Sequence, residues 1–270
     1  MKIAAIGIAA MAMLIGMPAR AADMAVKAPP PPVAAPASSW TGFYAGGELG
    51  GKWTDGNWNT TCFTATGVCP SFPVDSSSPH RFEPSSLRAG GYAGYDWQVF
   101  NWVLGVEADL AWSNGSKTVT GIPGCTVAPA FCGAFVGAGI TAANDSASFR
   151  STWDAALRAR LGFLVAPNWL VFAAGGFAEE GVRSTVSCFG PTSPWCSATR
   201  SQTFNGALPG WTVGGGLEWM MTNHWFARAE YRYSEFGNWS NTYFAGTADQ
   251  INATIKVTTQ IATLGLAYKW

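Results

Sequence analysis

Six cysteines and two histidines are the residues of this chain with the widest chemical reach. The cysteines fall in three pairs, Cys62 with Cys69, Cys125 with Cys132 and Cys188 with Cys196, each inside one long predicted loop and none in a strand or short turn. A structural zinc site favours C-x₂₋₄-C spacing with histidine nearby, and these pairs are seven or eight residues apart. Disulfides are the default in an oxidising compartment, so three loop-local bridges are expected, with pairing across loops left open. His80 and His224 fall in connections at opposite ends of the predicted strands. Neither has a Ser or Asp partner at a recognisable spacing. With no phosphate-cradling loop and no metal motif, neither a cofactor nor enzyme activity is expected.

The compartment follows from the first residues. Lys2 supplies a positive n-region, Ile3 to Met17 an apolar h-region, and Ala19-Arg20-Ala21 a small-residue cleavage site. Pro18 and Arg20 end the apolar run short of the ~20 residues that a spanning helix needs. Residues 1–22 are therefore read as a signal peptide, 23–39 as a proline-rich tail held extended by Pro29 to Pro32 and Pro36, and 40–270 as the folded domain. Cleavage removes Lys2 and Arg20, so sixteen basic residues become fourteen against sixteen acidic, a net charge of −2. That is no footprint for nucleic acid.

From Trp40 onward the hydrophobic period is two. Strands are predicted at Trp40–Trp53, Leu87–Gln98, Trp102–Trp112, Thr152–Leu164, Trp169–Arg183, Gly210–Met220, Trp225–Phe236 and Lys256–Trp270. Connections at Val99–Asn101, Val165–Asn168 and Met221–His224 are short; those at Thr54–Ser86, Ser113–Ser151, Ser184–Pro209 and Gly237–Ile255 are long. The chain is 48% hydrophobic and 12% charged, yet holds no second apolar run long enough for a helix to span a bilayer. The pattern predicts an all-β, eight-stranded antiparallel transmembrane barrel with short periplasmic turns, long extracellular loops and both termini in the periplasm. Asp154–Leu164 also fits a helical stripe, and Leu170–Ala178 is apolar on both faces, so pattern leaves its register open.

Aromatics mark two levels. Trp40, Trp97, Trp102, Phe163, Trp169, Trp219, Trp225 and Trp270 fall at the short-turn end. Trp53, Trp112, Trp153, Phe177, Trp211 and Tyr233 fall further along. Trp102 and Trp112 share a face ten residues apart, a climb of roughly 25 Å for strands tilted by about 40°. Two belts at that separation are the girdles of a membrane barrel.

The opposite face gathers seven acids, Glu48, Asp96, Glu107, Asp109, Asp154, Glu218 and Glu230. It also gathers seven bases, Lys52, Arg88, Arg158, Arg160, Arg228, Arg232 and Lys269. Equal numbers suit a lumen where each charge needs a partner away from bulk water. Glycines between them, such as Gly46, Gly94 and Gly216, leave room for water and for a narrow path. A soluble barrel with the faces inverted shares the alternation. The aromatic last strand and the lack of polar residues between the belts favour lipid outside.

Trp40-Thr41-Gly42-Phe43-Tyr44-Ala45-Gly46-Gly47, after an export signal and a proline-rich stretch, resembles the first strand of small alphaproteobacterial outer-membrane barrels. These are the outer-membrane immunogenic and RopB-like proteins, filed as porin-family proteins. Trp153-Asp154 leading to Arg158-Ala159-Arg160-Leu161-Gly162, then Glu230-Tyr231-Arg232-Tyr233, and Leu264-Gly265-Leu266-Ala267-Tyr268-Lys269-Trp270 are similar to later strands of that family. The paired loop cysteines and a terminal Trp in place of the usual Phe depart from it. The resemblance implies an abundant surface protein that supports envelope integrity and host contact, with no catalytic residues to carry over. The expected function is structural, with outer-membrane lipid and lipopolysaccharide as partners, homo-oligomers or arrays compatible with the lipid face, and no loop partner identifiable. The alternative is a narrow porin-like channel; if arginines plug it, replacing Arg228 and Arg232 with alanine should raise conductance.

Overall fold

The computed structural model describes residues 39–64, 80–122, 145–190 and 198–270. The predicted signal peptide and nearly all of the proline-rich tail lie outside them, as do Cys69, Cys125, Cys132 and Cys196. Nine strands are described: β1 (Gly42–Thr64), β2 (His80–Phe82), β3 (Ser85–Val99), β4 (Trp102–Thr120), β5 (Ser146–Ala166), β6 (Trp169–Phe189), β7 (Thr199–Met220), β8 (Trp225–Tyr243) and β9 (Gln250–Lys269). All pair antiparallel in chain order, and β9 closes on β1. β2 and β3 line the same edge of β1 and are interrupted at Glu83-Pro84. Proline has no N–H to give a ladder, and the Pro84 carbonyl accepts instead from Thr54 N at 3.0 Å. Counting that pair as one stave, the described barrel has eight.

The register fixes the width of the barrel. From Tyr44 the paired residues run through Gly94, Glu107, Arg158, Gly176, Thr212, Ser234 and Thr259, and return to β1 at Thr54, ten residues further along. Eight staves with that stagger tilt by roughly 40° on a backbone radius of about 8 Å. Side chains of ordinary size can fill such a cylinder.

Alternation holds between the belts. Leu104, Val106, Leu110, Leu157, Leu161, Val171, Val213 and Leu264 face outward and are exposed, flanked by Trp102, Trp169, Trp219, Trp225 and Trp270 at one level and Trp53, Trp112 and Trp211 at the other. Within the belts rings touch across strands: Trp102 meets Phe163 edge-on at 5.0 Å, and Trp169 stacks on Trp219 at 5.8 Å. Asp154–Leu164 is strand, not helix. Leu170, Phe172 and Ala174 face the lumen, which supplies the register that pattern left open.

Trp40 does not belong to a belt. It is 1% exposed and packs inside the short-turn end against Phe226. It shares the even, inward parity of Tyr44 and Glu48, so alternation itself places it inside, where Trp40 N donates to Gln98 Oε1 at 2.8 Å.

Most strands run well past the second belt, and the long connections are correspondingly shorter than predicted. Cys62 lies on β1 and Cys188 on β6, rather than in loops, and His80 lies on β2. Above the belt the barrel parts. β3–β4 pairing stops at Arg88 and Ser113, and β7–β8 pairing at Gly210 and Phe236. Two four-stranded sheets continue upward, β4–β5–β6–β7 and β8–β9–β1–β2. They enclose an apolar core of Trp58, Phe82, Ile251, Ile255 and Tyr243 from one sheet and Phe149, Val182, Val186 and Leu208 from the other. Phe82 approaches Phe149 at 6.4 Å, and the Phe204 ring meets Tyr243 at 5.1 Å.

Candidate functional site

The lumen is where the charged side chains converge, and it is stacked in tiers. At the short-turn end Trp40, Tyr44, Tyr92, Val103, Leu170, Met220 and Phe226 form a buried apolar floor. Above it lie the charges; above them, the core between the two sheets.

Glu107 on β4 is the lower hub. It accepts from Arg158 Nη2 at 2.7 Å, from Arg160 Nη1 at 3.3 Å and from the Tyr44 hydroxyl at 2.7 Å, and it pairs with Arg228 at 2.6 Å. Glu218 joins Arg160 at 2.8 Å and Arg228 at 2.7 Å, and Arg158 donates to Glu230. Asp154 on β5 is the upper hub, paired with Lys52 at 2.8 Å, Arg88 at 2.7 Å and Arg232 at 3.1 Å. Arg88 reaches Glu48 as well, and Asp109 bridges the hubs through Arg88 at 2.9 Å, Arg232 at 2.8 Å and Arg158 at 3.5 Å. An isolated ion in such an interior costs several kcal/mol; sharing Glu107, Asp109 and Asp154 among several cations each offsets much of that.

Thirteen of the fourteen residues expected in the network have an ion-pair partner there. Lys269 does not. Its ammonium donates to the Thr41 carbonyl at 3.0 Å at the short-turn rim, because the last strand ends below the lower hub. Asp96 is held weakly, 3.6 Å from Arg160. An eighth acid, Glu180, was not among those expected. It is fully buried, accepts from Lys52 at 2.8 Å and from Ser151 at 2.6 Å, and breaks the even balance of charge. Its signal in the sequence was the Glu179-Glu180 doublet: on a strand, one of two neighbours must face in.

At two inward glycines the space is occupied by aromatic side chains. A Cβ at Gly94 would stand 2.4 Å from the Tyr44 hydroxyl, and one at Gly216 would stand 3.0 Å from the Phe172 ring. The missing side chains make room for aromatic rings. Those rings in turn support cations, with Arg228 4.1 Å above Tyr92 and Arg160 4.6 Å from Phe172.

His224 lies in the short turn before β8, stacked on Tyr268 at 5.6 Å with Nδ1 3.0 Å from the Lys269 carbonyl. His80 lies at the other end, on β2. Among the described residues no group of three His, Cys, Asp or Glu side chains is placed to hold a metal. None of the described cysteines is free. Chemically, the lumen presents a densely ion-paired polar cluster between two apolar clusters.

A family model described as an outer membrane protein beta-barrel domain matches residues 8–269. The 31 kDa outer-membrane immunogenic protein of Brucella melitensis biotype 1 is 30% identical over 245 residues, 85% of this chain and 86% of its own. The 25 kDa outer-membrane immunogenic protein of Brucella abortus is 25% identical across 93% and 90% of the two chains. A 22 kDa outer membrane protein of Rhizobium leguminosarum bv. viciae is 26% identical over 74% of this chain and 66% of its own. Among solved structures, the outer membrane protein OprG of Pseudomonas aeruginosa aligns with a TM-score of 0.47 at 11% identity, covering 85% of this chain and 96% of that one.

Proposed function

This chain belongs to the outer-membrane β-barrel family that includes the outer-membrane immunogenic proteins, and from that footing we propose that it is a structural, surface-exposed barrel with a closed lumen. It supports the envelope and makes outside contacts through its long-loop end. The observation that carries this is the lumen itself, where Glu107 and Asp154 tie the strands together between a floor at Tyr44 and a core at Trp58 and Phe149. An eight-stave barrel has little interior beyond what its side chains occupy, so its role lies on its surfaces and not in a pore. No catalysis is assigned to it.

In this reading the short turns and both ends of the barrel face the periplasm, residues 1–22 are removed on export, and the long-loop end stands outside. Cys62–Cys69, Cys125–Cys132 and Cys188–Cys196 tie the outer segments. The name "immunogenic" carried by relatives supports exposure of that end. A tag inserted at Gly246 should be labelled on intact cells; labelling only after lysis would reverse the orientation. The purified barrel in planar bilayers tests the closed lumen. Absence of reproducible single-channel steps is expected, and steady porin-sized steps would establish the channel reading in its place.

A further inference from the structure

Above the second belt, every outward-facing cation described on the β8–β9–β1–β2 side is neutralised. Arg81 donates to Asp55 and lies 3.2 Å from Glu83, and Lys256 pairs with Glu235 at 2.7 Å. Arg200 on β7 pairs with Asp249 at 2.9 Å. The β5–β6 face differs. Arg150 and Arg183 are directly opposite one another in the ladder, which places their Cβ atoms about 5 Å apart on one face. That face is the outer one, because their neighbours Phe149, Val182 and Ser184 are buried inside. Among the described residues neither arginine has a carboxylate within ion-pairing distance. Arg150 donates to the Asn114 side-chain oxygen, and Arg183 Nε donates to Asn205 Oδ1 at 2.6 Å. Asn114 and Asn205 orient the guanidinium groups without neutralising them. Arg150 Nε is buried and has no acceptor at all. Two like charges directly opposite weaken a ladder, and a buried donor without a partner adds to that. A bound anion would remove the first penalty.

Depth says which anion. Trp153, in the second belt, is opposite Gly181; Arg183 is two residues beyond Gly181, and Arg150 three beyond Trp153. Two to three tilted residues climb about 5–8 Å. The headgroup zone on each side of the hydrocarbon is about as deep, the difference between a core of about 30 Å and a whole bilayer of about 40–45 Å. The pair therefore stands at headgroup level, facing lipid and not the lumen. Guanidinium forks match phosphate oxygens two at a time.

We propose that Arg150 and Arg183, held by Asn114 and Asn205, form a binding site for the phosphate of an outer-leaflet lipid headgroup. This rests on the outer-membrane reading above, with the long-loop end outside. The phosphate enters from the lipid side and bridges the two guanidinium groups.

The test uses the full mature chain in phosphatidylcholine nanodiscs carrying either lipid A with both phosphates or the same lipid dephosphorylated. Insertion, read first by size exclusion, tests the outer-membrane reading separately. Native mass spectrometry then counts retained lipid A. Wild type should retain the phosphorylated form, R150Q/R183Q at least fivefold less, and R81Q as much as wild type. R150K/R183K should recover part of the retention. Millimolar inorganic phosphate should displace little. In phosphate-free detergent R183Q should unfold at a higher temperature than wild type, and with phosphorylated lipid A at a lower one. Equal retention by R150Q/R183Q, equal retention of dephosphorylated lipid, an equal loss in R81Q, or full displacement by inorganic phosphate would each overturn the site while leaving the barrel standing.

Discussion

Replacing Arg228 with alanine measures how dry the lumen is. Arg228 is buried, donates to Glu218 at 2.7 Å, pairs with Glu107 at 2.6 Å and lies 4.1 Å over the Tyr92 ring. Without it, Glu218 keeps one cation, Arg160, and Glu107 keeps Arg158 and Arg160. The space vacated holds roughly three waters. Breaking one side of a buried ionic cluster costs about 3–5 kcal/mol, while a solvated pair is worth about 0–1 kcal/mol. For a chain of this size that translates into a midpoint lowered by roughly 6–20 °C. The assay is the heat-dependent gel shift of the folded barrel, with urea unfolding followed by tryptophan fluorescence as a second measure. The double variant E218Q/R228A should recover at least about 1 kcal/mol, since one stranded charge is gone. A loss below about 1 kcal/mol for R228A, with no recovery in the double variant, would mean a hydrated lumen and refute the plug. Conductance should stay absent in R228A and in R228A/R232A, contrary to the expectation drawn from the sequence. In the proposed closed-lumen reading, the apolar clusters around Phe226 and Phe149 bound the charged tiers at both ends and remain in both variants.

Three further outcomes are expected. W58A should lower stability by about 3–5 kcal/mol, because Trp58 is completely buried and stacked on Tyr243; limited proteolysis should then clip the loop-side end while the belt-to-belt segment stays protected, and uniform degradation would deny the two-sheet cap. In brominated lipid, fluorescence of single-tryptophan variants retaining Trp112, 61% exposed, should be quenched, whereas one retaining Trp40 should not; equal quenching would reject the inward placement. Alkylation of the unfolded, unreduced protein should add no label, and reduction should admit six labels for the six cysteines; label before reduction would remove the proposed disulfides.

Much of the lumen was legible from alternation. Once Arg158 and Arg160 are on a strand, they share a face with Asp154, and the same reasoning collects Glu107, Asp109, Arg228 and Arg232. The strand ends were not legible, for a physical reason visible in β9. Leu264 and Leu266 face outward against hydrocarbon, while Thr259 and Thr263 face in. Further along, Ile251, Ile255 and Val257 face in and Lys256 faces out. The same backbone leaves lipid for water, so the apolar residues change sides. Val182 and Val186 inside, with Arg183 outside, repeat this in β6. Following one phase of the pattern stops each strand at the reversal, which is why alternation alone places Cys62 and Cys188 in loops. Trp40 differs in the opposite direction: its type suits a belt, but it shares the inward parity of Tyr44 and Glu48, and parity decides which side it faces.

The sequence by itself determined the staves, their two aromatic levels and the parity of nearly every charge, because a strand's two-residue repeat is local and needs no knowledge of its neighbours. Tertiary structure alone decided which charges meet, since Glu107 reaches Arg158, Arg160 and Arg228 only after a ten-residue stagger brings distant strands round one axis about 8 Å away. It also decided that the cylinder parts into two sheets with an apolar core, and that two arginines with no ion-pair partner among the described residues face each other across β5 and β6. Those outcomes depend on register between strands, and no single strand carries that information.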